Sequence, residues 1–296
     1  MYSQHISHQN VTIDNKIFHC LSAGMKNKGD MIILLHGFPE TSYMWIPLIH
    51  ALADQGYCVV APDQRGYSIN ARPKQTKEYH IHKLANDVFQ IADAFNCKQF
   101  HLVGHDWGAS IGWTMLGLHP DRILSWTSLS IPHLLAFQKA YFHDKDQRKR
   151  SRYIALFKLP WLAEKLFSIK QYKQLKKIWH NHTSDQIQAY MQTFSQPGAL
   201  TASLNWYRAN LNRRGLSYLT TQQGLHKIIT PTQLIWGAHD IAVGRKGIEL
   251  TQQYMRGPYN LIELQAGHWL IQEKEKEVVS LILNFINTYQ HKTSSS

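Results

Sequence analysis

The stretch Gly104-His105-Asp106-Trp107-Gly108-Ala109 decides the fold of this chain. It follows the apolar, strand-like run 100–103 and precedes a segment of helical character, so small residues flank an acid at a strand-to-helix turn. A turn this tight, a nucleophile elbow, holds its central residue in a sparsely allowed conformation and lifts the side chain above the carboxyl end of the sheet. The lifted group here is the carboxylate of Asp106, which is ionised near neutral pH and can attack a saturated carbon without an activating base.

The composition is that of a globular protein able to bury one large core. The chain has 296 residues, of which 44% are hydrophobic and 18% charged, and it contains no apolar run of about 18 residues that could cross a membrane. Its first five residues lack a basic region followed by an apolar one, so we expect no signal peptide. Three cysteines without a C-x-x-C pair, Cys20, Cys58 and Cys97, indicate reduced thiols in a cytoplasmic enzyme.

The net charge of +12 is concentrated in one part of the chain. Residues 133–225 carry 15 basic and 4 acidic side chains, and the densest basic runs are 145–152 and 170–177. A solvated helix face is the simplest interpretation of such runs, and attraction to anionic substrates or to a membrane surface is the alternative. No nucleic-acid-binding module accompanies the charge, so we expect neither a nucleic-acid partner nor stable membrane insertion.

Strand-like and helix-like patterns alternate over about the first 130 residues, which predicts a mostly parallel sheet with helices on both faces. The expected strands are 11–13 and 17–21, which form a hairpin, then 31–35, 57–60, 100–103, 123–129, 232–236 and 261–264. The expected core helices carry the apolar stripes 45–52, 84–95 and 278–286, with one more helix near Ile248.

The alternation breaks after residue 129 and resumes near residue 232, so the chain divides into three segments. Residues 1–132 form the first part of an α/β core, residues 133–225 form an inserted helical lid, and residues 226–296 form the second part of the core. The lid segment is rich in Lys, Gln, Leu and aromatic residues and shows no strand pattern. We expect the tail 292–296 to be frayed.

Two residues beyond the lid complete a catalytic arrangement. A Gly-x-Asp-x-Gly string alone also fits an ordinary capped helix start, so these partners decide its meaning. Asp240 follows the strand 232–236 and His268 follows the last strand, which gives the chain order nucleophile, acid, histidine of an α/β-hydrolase triad. An ester formed on Asp106 must be broken by water. His268 is the candidate base for that step, and Asp240 would fix its tautomer.

The turn His36-Gly37-Phe38-Pro39 directly follows the strand 31–35, and a plain tight turn is its alternative interpretation. The backbone N–H groups of Phe38 and Trp107 are predicted to converge on the carboxylate of Asp106 and to stabilise the oxyanion that forms when water attacks the ester. Pro39 cannot donate a hydrogen bond, but it fixes the turn that aims the donor before it.

With these motifs the chain resembles the epoxide hydrolases of the α/β-hydrolase superfamily, with the haloalkane dehalogenases as near relatives. The resemblance rests on the segments 36–40, 63–67, 104–108, 267–269, Asp240, and in the lid 153–157 and 204–208. It implies an α/β-hydrolase fold with an inserted lid, and the conversion of a small-molecule epoxide and water to a vicinal diol through a covalent aspartyl ester. It also implies that Tyr153 and Tyr207 bind the epoxide oxygen, where a phenol lowers the barrier to expelling an alkoxide.

The resemblance also implies roles for Glu40 and His105, and the sequence contains no motif for a metal or a nucleotide cofactor. Glu40 matches an acid that helps to place the hydrolytic water, and His105 is expected to join that network. The pairs His80-x-His82 and His180-x-His182 lack Cys or acidic ligands at zinc spacing, so we interpret them as solvated histidines and expect no metal. The absence of a Walker or G-x-G-x-x-G string predicts no nucleotide cofactor.

Two other functions fit parts of the pattern. A haloalkane dehalogenase would use the same Asp106, with the indole of Trp107 donating to the departing halide, but two phenols suit an oxygen leaving group better. A ligand-binding protein of low turnover on the same fold is the second alternative. Ordinary carboxylester hydrolysis is disfavoured because Asp106 replaces the serine.

Overall fold

Eight strands form one sheet in residues 4–290, the part of the chain that the computed structural model describes. The strands are β1 (Ser7–Ile13), β2 (Lys16–Ala23), β3 (Met31–Leu35), β4 (Cys58–Pro62), β5 (Phe100–His105), β6 (Ile123–Leu129), β7 (Thr232–Gly237) and β8 (Tyr259–Leu264). Their order is β1-β2-β4-β3-β5-β6-β7-β8. β2 is antiparallel to both β1 and β4, and the other neighbours are parallel. The predicted mostly parallel sheet is confirmed.

Helices cover this sheet and extend beyond its carboxyl edge. They are α1 (Ile46–Asp54), α2 (Ile81–Ala94), α3 (Trp107–Leu118), α4 (Leu134–His143), α5 (Lys145–Arg150), α6 (Tyr153–Phe157), α7 (Leu162–Ile178), α8 (Ser184–Phe194), α9 (Ala199–Asn210), α10 (Arg213–Thr221), α11 (Arg245–Thr251), α12 (Leu270–Glu273) and α13 (Glu275–Thr288). Helices α4 to α10 follow one another between β6 and β7, within the segment that we call the lid. In residues 4–290, no helix has both the length and the apolar character that crossing a membrane requires.

Burial explains why the central strands read as unbroken apolar runs. All five residues of β3 are buried, because helices cover both faces of the sheet there. The outer hairpin strand β1 instead exposes most of its residues. The stripe of α2 packs Leu84, Val88 and Ile91 into the core, and Phe95 lies one residue past the end of this helix.

One predicted strand is displaced. The prediction placed it at 57–60, whereas β4 runs from Cys58 to Pro62. Tyr57 instead closes the end of α1, since its N–H donates to the carbonyl of Leu52 and the preceding Gly56 has a left-handed φ of 92°. Pro62 ends the strand opposite Cys20 of β2.

The three cysteines form no disulfide in the described part of the chain. Cys20 is buried, Cys58 and Cys97 are half-buried, and all three are free thiols. The prediction for the tail 292–296 concerns residues outside the described range. The carboxyl ends of β3, β5, β7 and β8 lie at one edge of the sheet, and the loops that follow them carry the residues predicted for the site.

Candidate active site

The elbow between β5 and α3 holds Asp106 in a strained conformation, with φ 51° and ψ −121°. Such a backbone is rare for a residue with a side chain and persists only where the surroundings enforce it. The flanking glycines show that enforcement. A Cβ atom on Gly104 would lie 2.6 Å from the carbonyl oxygen of Gly108, and one on Gly108 would lie 2.0 Å from that of Leu35. The small residues around the acid are therefore a steric requirement of the turn.

The turn after β3 brings main chain directly against the carboxylate. The N–H of Phe38 donates to Oδ1 of Asp106 at 2.9 Å. A Cβ atom on Gly37 would lie only 2.3 Å from that same oxygen, so a larger residue there would displace the carboxylate. The predicted donor from Phe38 thus lies in place. The donor role of the Trp107 N–H stays a prediction, while the Trp107 side chain packs edge-on to the ring of Tyr207, with ring centroids 5.0 Å apart.

His268 lies between the two predicted carboxylates. Its Nδ1 donates to Oδ2 of Asp240 at 2.8 Å, and its Nε2 lies 3.5 Å from Oδ2 of Asp106. Asp240 is itself fully buried and oriented by the N–H groups of Ala242 and Val243, which donate to its Oδ1 at 2.7 and 2.9 Å. These contacts hold the imidazole with its Nε2 directed at the elbow.

The two carboxylates set the protonation of this histidine. Burial alone would lower the pKa of His268, but the charge and hydrogen bond of Asp240, together with those of Asp106, raise it well above 6.5. The imidazolium is therefore favoured while both acids are ionised. Removing the charge of either acid would lower the pKa of His268.

The two lid tyrosines face the same space as Asp106. Tyr153 begins α6 and Tyr207 lies in α9, with their ring centroids 6.3 Å apart, and both line two cavities that share Asp106. Burial, then the charge of Asp106, raises the pKa of both phenols, so both are protonated hydrogen-bond donors at neutral pH.

The two cavities give the site an apolar character. One, of about 70 Å³, extends between α3, α4 and α10 and is lined by Ile131, Leu134 and Leu219. The other, of about 240 Å³, extends past Phe38 and His268 towards Phe157 and Ile241. Asp106, Tyr153 and Tyr207 are common to both, so the reactive groups lie where the two apolar spaces meet.

Glu40 is fully buried and is the centre of a network of hydrogen bonds next to His268. Its Oε2 lies 3.2 Å from Nδ1 of His105, and Nε2 of His105 donates to the carbonyl oxygen of His268 at 2.9 Å. Burial alone would raise the pKa of Glu40, but hydrogen bonds from His105 and His182 lower it to about 2, so the carboxylate is ionised. The structure brings the two predicted water-positioning residues into contact with each other and with the backbone of His268.

His182 corrects one sequence interpretation. The pair His180-x-His182 was expected to be solvated, and His180 is exposed, but His182 is buried with Nε2 2.9 Å from Oε1 of Glu40. Gln272 of α12 donates to the same oxygen at 2.7 Å. The next residue, Thr183, caps α8 in a capping box, but this local motif does not indicate that His182 reaches Glu40.

Most basic side chains of the run 145–152 are exposed, as expected, but two of its residues make contacts with the loop after β7. Gln147 of α5 is fully buried, accepts a hydrogen bond from the Gly244 N–H at 2.8 Å and donates to the Ala242 carbonyl at 2.9 Å. The guanidinium of Arg150 donates to the carbonyl oxygen of Asp240. These hydrogen bonds join α5 to the loop that carries Asp240.

The histidines do not form a metal site in the part of the chain that the structure describes, where no group of three or more His, Cys, Asp or Glu side chains could hold an ion. His80 and His82 instead contact each other, with their Nδ1 atoms 2.6 Å apart.

Comparison with known proteins agrees with this geometry. Residues 30–275 match the model of the alpha/beta hydrolase fold family. The chain is 32% identical over 284 residues to the AB hydrolase superfamily protein YfhM of Bacillus subtilis, covering 94% of this chain and 97% of that protein. It is also 32% identical over 281 residues to human Epoxide hydrolase 4, covering 91% of this chain and 75% of the relative.

A solved structure extends the likeness to three dimensions. Epoxide hydrolase A from Mycobacterium thermoresistibile superposes with a TM-score of 0.84 at 27% identity, covering 96% of this chain and 98% of that one. The chain belongs to the alpha/beta hydrolase fold family and, within it, to the epoxide hydrolase family.

Proposed function

We propose that this protein hydrolyses epoxides to vicinal diols through an ester on Asp106. The observation that carries the proposal is the position of that carboxylate, which accepts the Phe38 N–H, lies 3.5 Å from Nε2 of His268 and shares a cavity with the phenols of Tyr153 and Tyr207. The names of the relatives and of the superposed structure support the same substrate class.

The first step is attack by Asp106 on a ring carbon of the epoxide. A carboxylate oxygen forms the new bond to carbon, and the ring C–O bond breaks with its electron pair moving to the epoxide oxygen. Tyr153 and Tyr207 line the same cavity as Asp106 and supply the proton that this oxygen takes up. The phenols are proposed to act together because an alkoxide is a poor leaving group.

Formation of the ester removes the negative charge of Asp106 from the site. The negative charge of Asp106 raises the pKa of both tyrosines and of His268. When the carboxylate becomes a neutral ester, the phenols become stronger acids and His268 loses one of its two reasons to stay protonated. The proton that His268 releases replaces the one that the phenols gave to the epoxide oxygen, so both tyrosines are protonated again and the imidazole is neutral when the ester has formed.

The second step is attack by water on the carbonyl carbon of the ester. His268, still bound to Asp240, takes a proton from the water, and the Phe38 N–H stabilises the oxyanion, with Trp107 N–H as its proposed partner. Collapse of the oxyanion expels the diol oxygen, which receives a proton from His268. The second proton of the water stays on the carboxyl group of Asp106 and then passes to His268, which restores the carboxylate and the imidazolium. The oxygen atom of water remains in the carboxylate of Asp106.

Glu40 and His105 are proposed to position the hydrolytic water and the base. Both oxygens of Glu40 accept hydrogen bonds, and the chain of contacts through His105 ends on the backbone carbonyl of His268. His105 donates a hydrogen bond to the backbone carbonyl of His268, the proposed base. A substitution at Glu40 is therefore expected to slow the hydrolysis of the ester and to leave the contacts of Tyr153 and Tyr207 unchanged.

The direct test is incubation of the purified protein with styrene oxide and measurement of the diol by gas chromatography. We expect diol from the wild type and none above background from Asp106→Asn. A chloroalkane offered in parallel tests the dehalogenase alternative. Release of chloride that outpaces diol formation, or tight epoxide binding without turnover, would overturn the proposal.

A further inference from the structure

Residues 152–180 of the lid expose an unusual set of large apolar side chains. Within residues 4–290, nine large apolar side chains are exposed, and four of them lie in this stretch: Leu159, Trp161, Leu162 and Ile169. Trp161 is 86% exposed, whereas each of the other eight tryptophans is at most 6% exposed. A clustered exposed apolar surface of this kind marks an interaction site more often than a solvated face.

The same stretch carries a strong positive charge. Its exposed cations are Arg152, Lys158, Lys165, Lys170, Lys173, Lys176 and Lys177. Its one acid, Glu164, is held by the guanidinium of Arg208 through bonds of 2.8 and 2.9 Å, so it is already neutralised from outside the stretch. We call residues 152–180 the basic apolar patch.

The patch borders the route to the catalytic cavity. An open cavity of about 470 Å³ is lined by Phe167, Lys177 and His180 of this region, and it shares Phe157 and Ile241 with the cavity that reaches Asp106. Ile241, which lines both cavities, is 71% exposed. Lys177 is the cation of the stretch that lines the open cavity, so the stretch adjoins the outer end of the substrate route through the C-terminal part of α7.

We propose that the basic apolar patch docks on the surface of a bilayer containing anionic phospholipids. Exposed Trp and Leu side chains gain by entering the boundary between headgroups and acyl chains, and lysines gain by pairing with anionic headgroups. A nucleic acid supplies the anions but no apolar phase, and a neutral bilayer supplies the apolar phase but no anions. Docking places the cavity mouth at the bilayer, where apolar epoxides concentrate; this consequence rests on the proposed function, whereas the docking itself does not.

The test is sedimentation of the full chain with vesicles of phosphatidylcholine alone or mixed with phosphatidylglycerol. We expect binding to the mixed vesicles that weakens as salt is added, because screening reduces the attraction of surface charges. Lys173→Gln with Lys176→Gln should weaken binding about tenfold or more. The matched control is Lys26→Gln with Lys28→Gln, which removes the same charge from an exposed loop at the opposite edge of the sheet and should leave binding unchanged.

Trp161 offers a second readout that does not depend on affinity alone. Brominated lipids should quench its fluorescence selectively, since the other tryptophans are buried, and the quenching should disappear in Trp161→Phe. Trp161→Ala with Leu162→Ala should weaken binding about tenfold, whereas Ile229→Ala, an exposed apolar residue before β7, should not. Equal binding to neutral vesicles, loss of binding in the controls, or no quenching would overturn the proposal. Asp106→Asn should still bind vesicles, which separates failure of docking from failure of catalysis.

Discussion

The sheet edge and the lid position their functional groups by different means. At the sheet edge, backbone geometry places the groups: Asp106 has φ 51°, the Phe38 N–H bonds its carboxylate, and Gly37 leaves no room for a Cβ atom. In the lid, the packing of aromatic rings places the functional groups. The ring centroid of Tyr207 lies 5.0 Å from the ring centroids of both Trp107 and Phe157. Backbone constraints tolerate little displacement, whereas packed rings can adjust. We therefore expect the nucleophile and base to be indispensable and the lid groups to contribute by degrees.

The largest effect should come from the strained residue of the sheet edge. Asp106→Asn replaces the carboxylate by a neutral amide of the same size, and turnover should fall about 10⁴-fold or more, as for other removed nucleophiles. The measurement is diol formation under saturating substrate. Asp121→Asn, on the exposed turn before β6, is the control and should retain full activity. Substantial turnover by the Asp106 variant would show that the elbow does not carry the nucleophile.

The next effect separates the two steps at the sheet edge. His268→Gln keeps the nucleophile but removes the base, so the ester should form and then persist while turnover falls about 10³-fold or more. Intact mass spectrometry should detect protein plus one substrate. The exposed neighbour of the acid, His239→Gln, should show no adduct. Loss of activity without an adduct would place His268 in ring opening instead.

A smaller effect is expected from the lid. Tyr153→Phe and Tyr207→Phe should each slow ester formation by about 10²-fold, because one phenol remains to support the epoxide oxygen, and the double variant should be slower still. Rapid-mixing kinetics report the rate of that step. Tyr218→Phe in α10, which packs against His80 outside both cavities, serves as the lid control. If either single variant lost as much activity as Asp106→Asn, this would contradict the claim that the lid groups contribute less than those at the sheet edge.

The smallest effect concerns the network that joins the two regions. The pKa of Glu40 is lowered from 4.5 to about 2, so its stabilising contribution is complete above pH 4.5 and is lost as the pH falls towards 2. Glu40→Gln should lower the free energy of unfolding by about 1–3 kcal/mol at neutral pH, with the gap to wild type closing in acid. Urea unfolding across this pH range measures it, and the exposed Glu249→Gln should show no gap. A gap that stays constant with pH would contradict the ionised state of Glu40.

The residues that sequence reasoning could find are those governed by local sterics and chain order. The need for glycine at 104 follows from a contact within the elbow, with the carbonyl of Gly108, and the position after a strand identified Asp240 and His268. The need for glycine at 108 arises instead from the packing of the elbow against β3. The sheet topology followed from the alternation of strand and helix patterns in the same way.

The contacts that the sequence analysis did not identify depend on long-range packing. His182 reaches Glu40 across 142 positions, and Gln272 reaches it across 232, so no local pattern indicates either contact. Arg150 belongs to a basic run that resembles any solvated helix face, and only the folded lid brings it to Asp240. Tyr153 and Tyr207 were identified from family resemblance alone, because the chain has 14 tyrosines and neither of these two differs in its local sequence from a tyrosine that only packs within the lid.

The central claim is that Asp106 forms and then loses an ester, and one isotope measurement tests it. A single turnover of excess wild-type protein in heavy-oxygen water should leave the heavy oxygen in the peptide that contains Asp106 and not in the first diol released. Peptide mass spectrometry locates the label. Heavy oxygen found in the diol, with an unlabelled Asp106, would mean that water attacks the epoxide directly and would contradict the covalent mechanism.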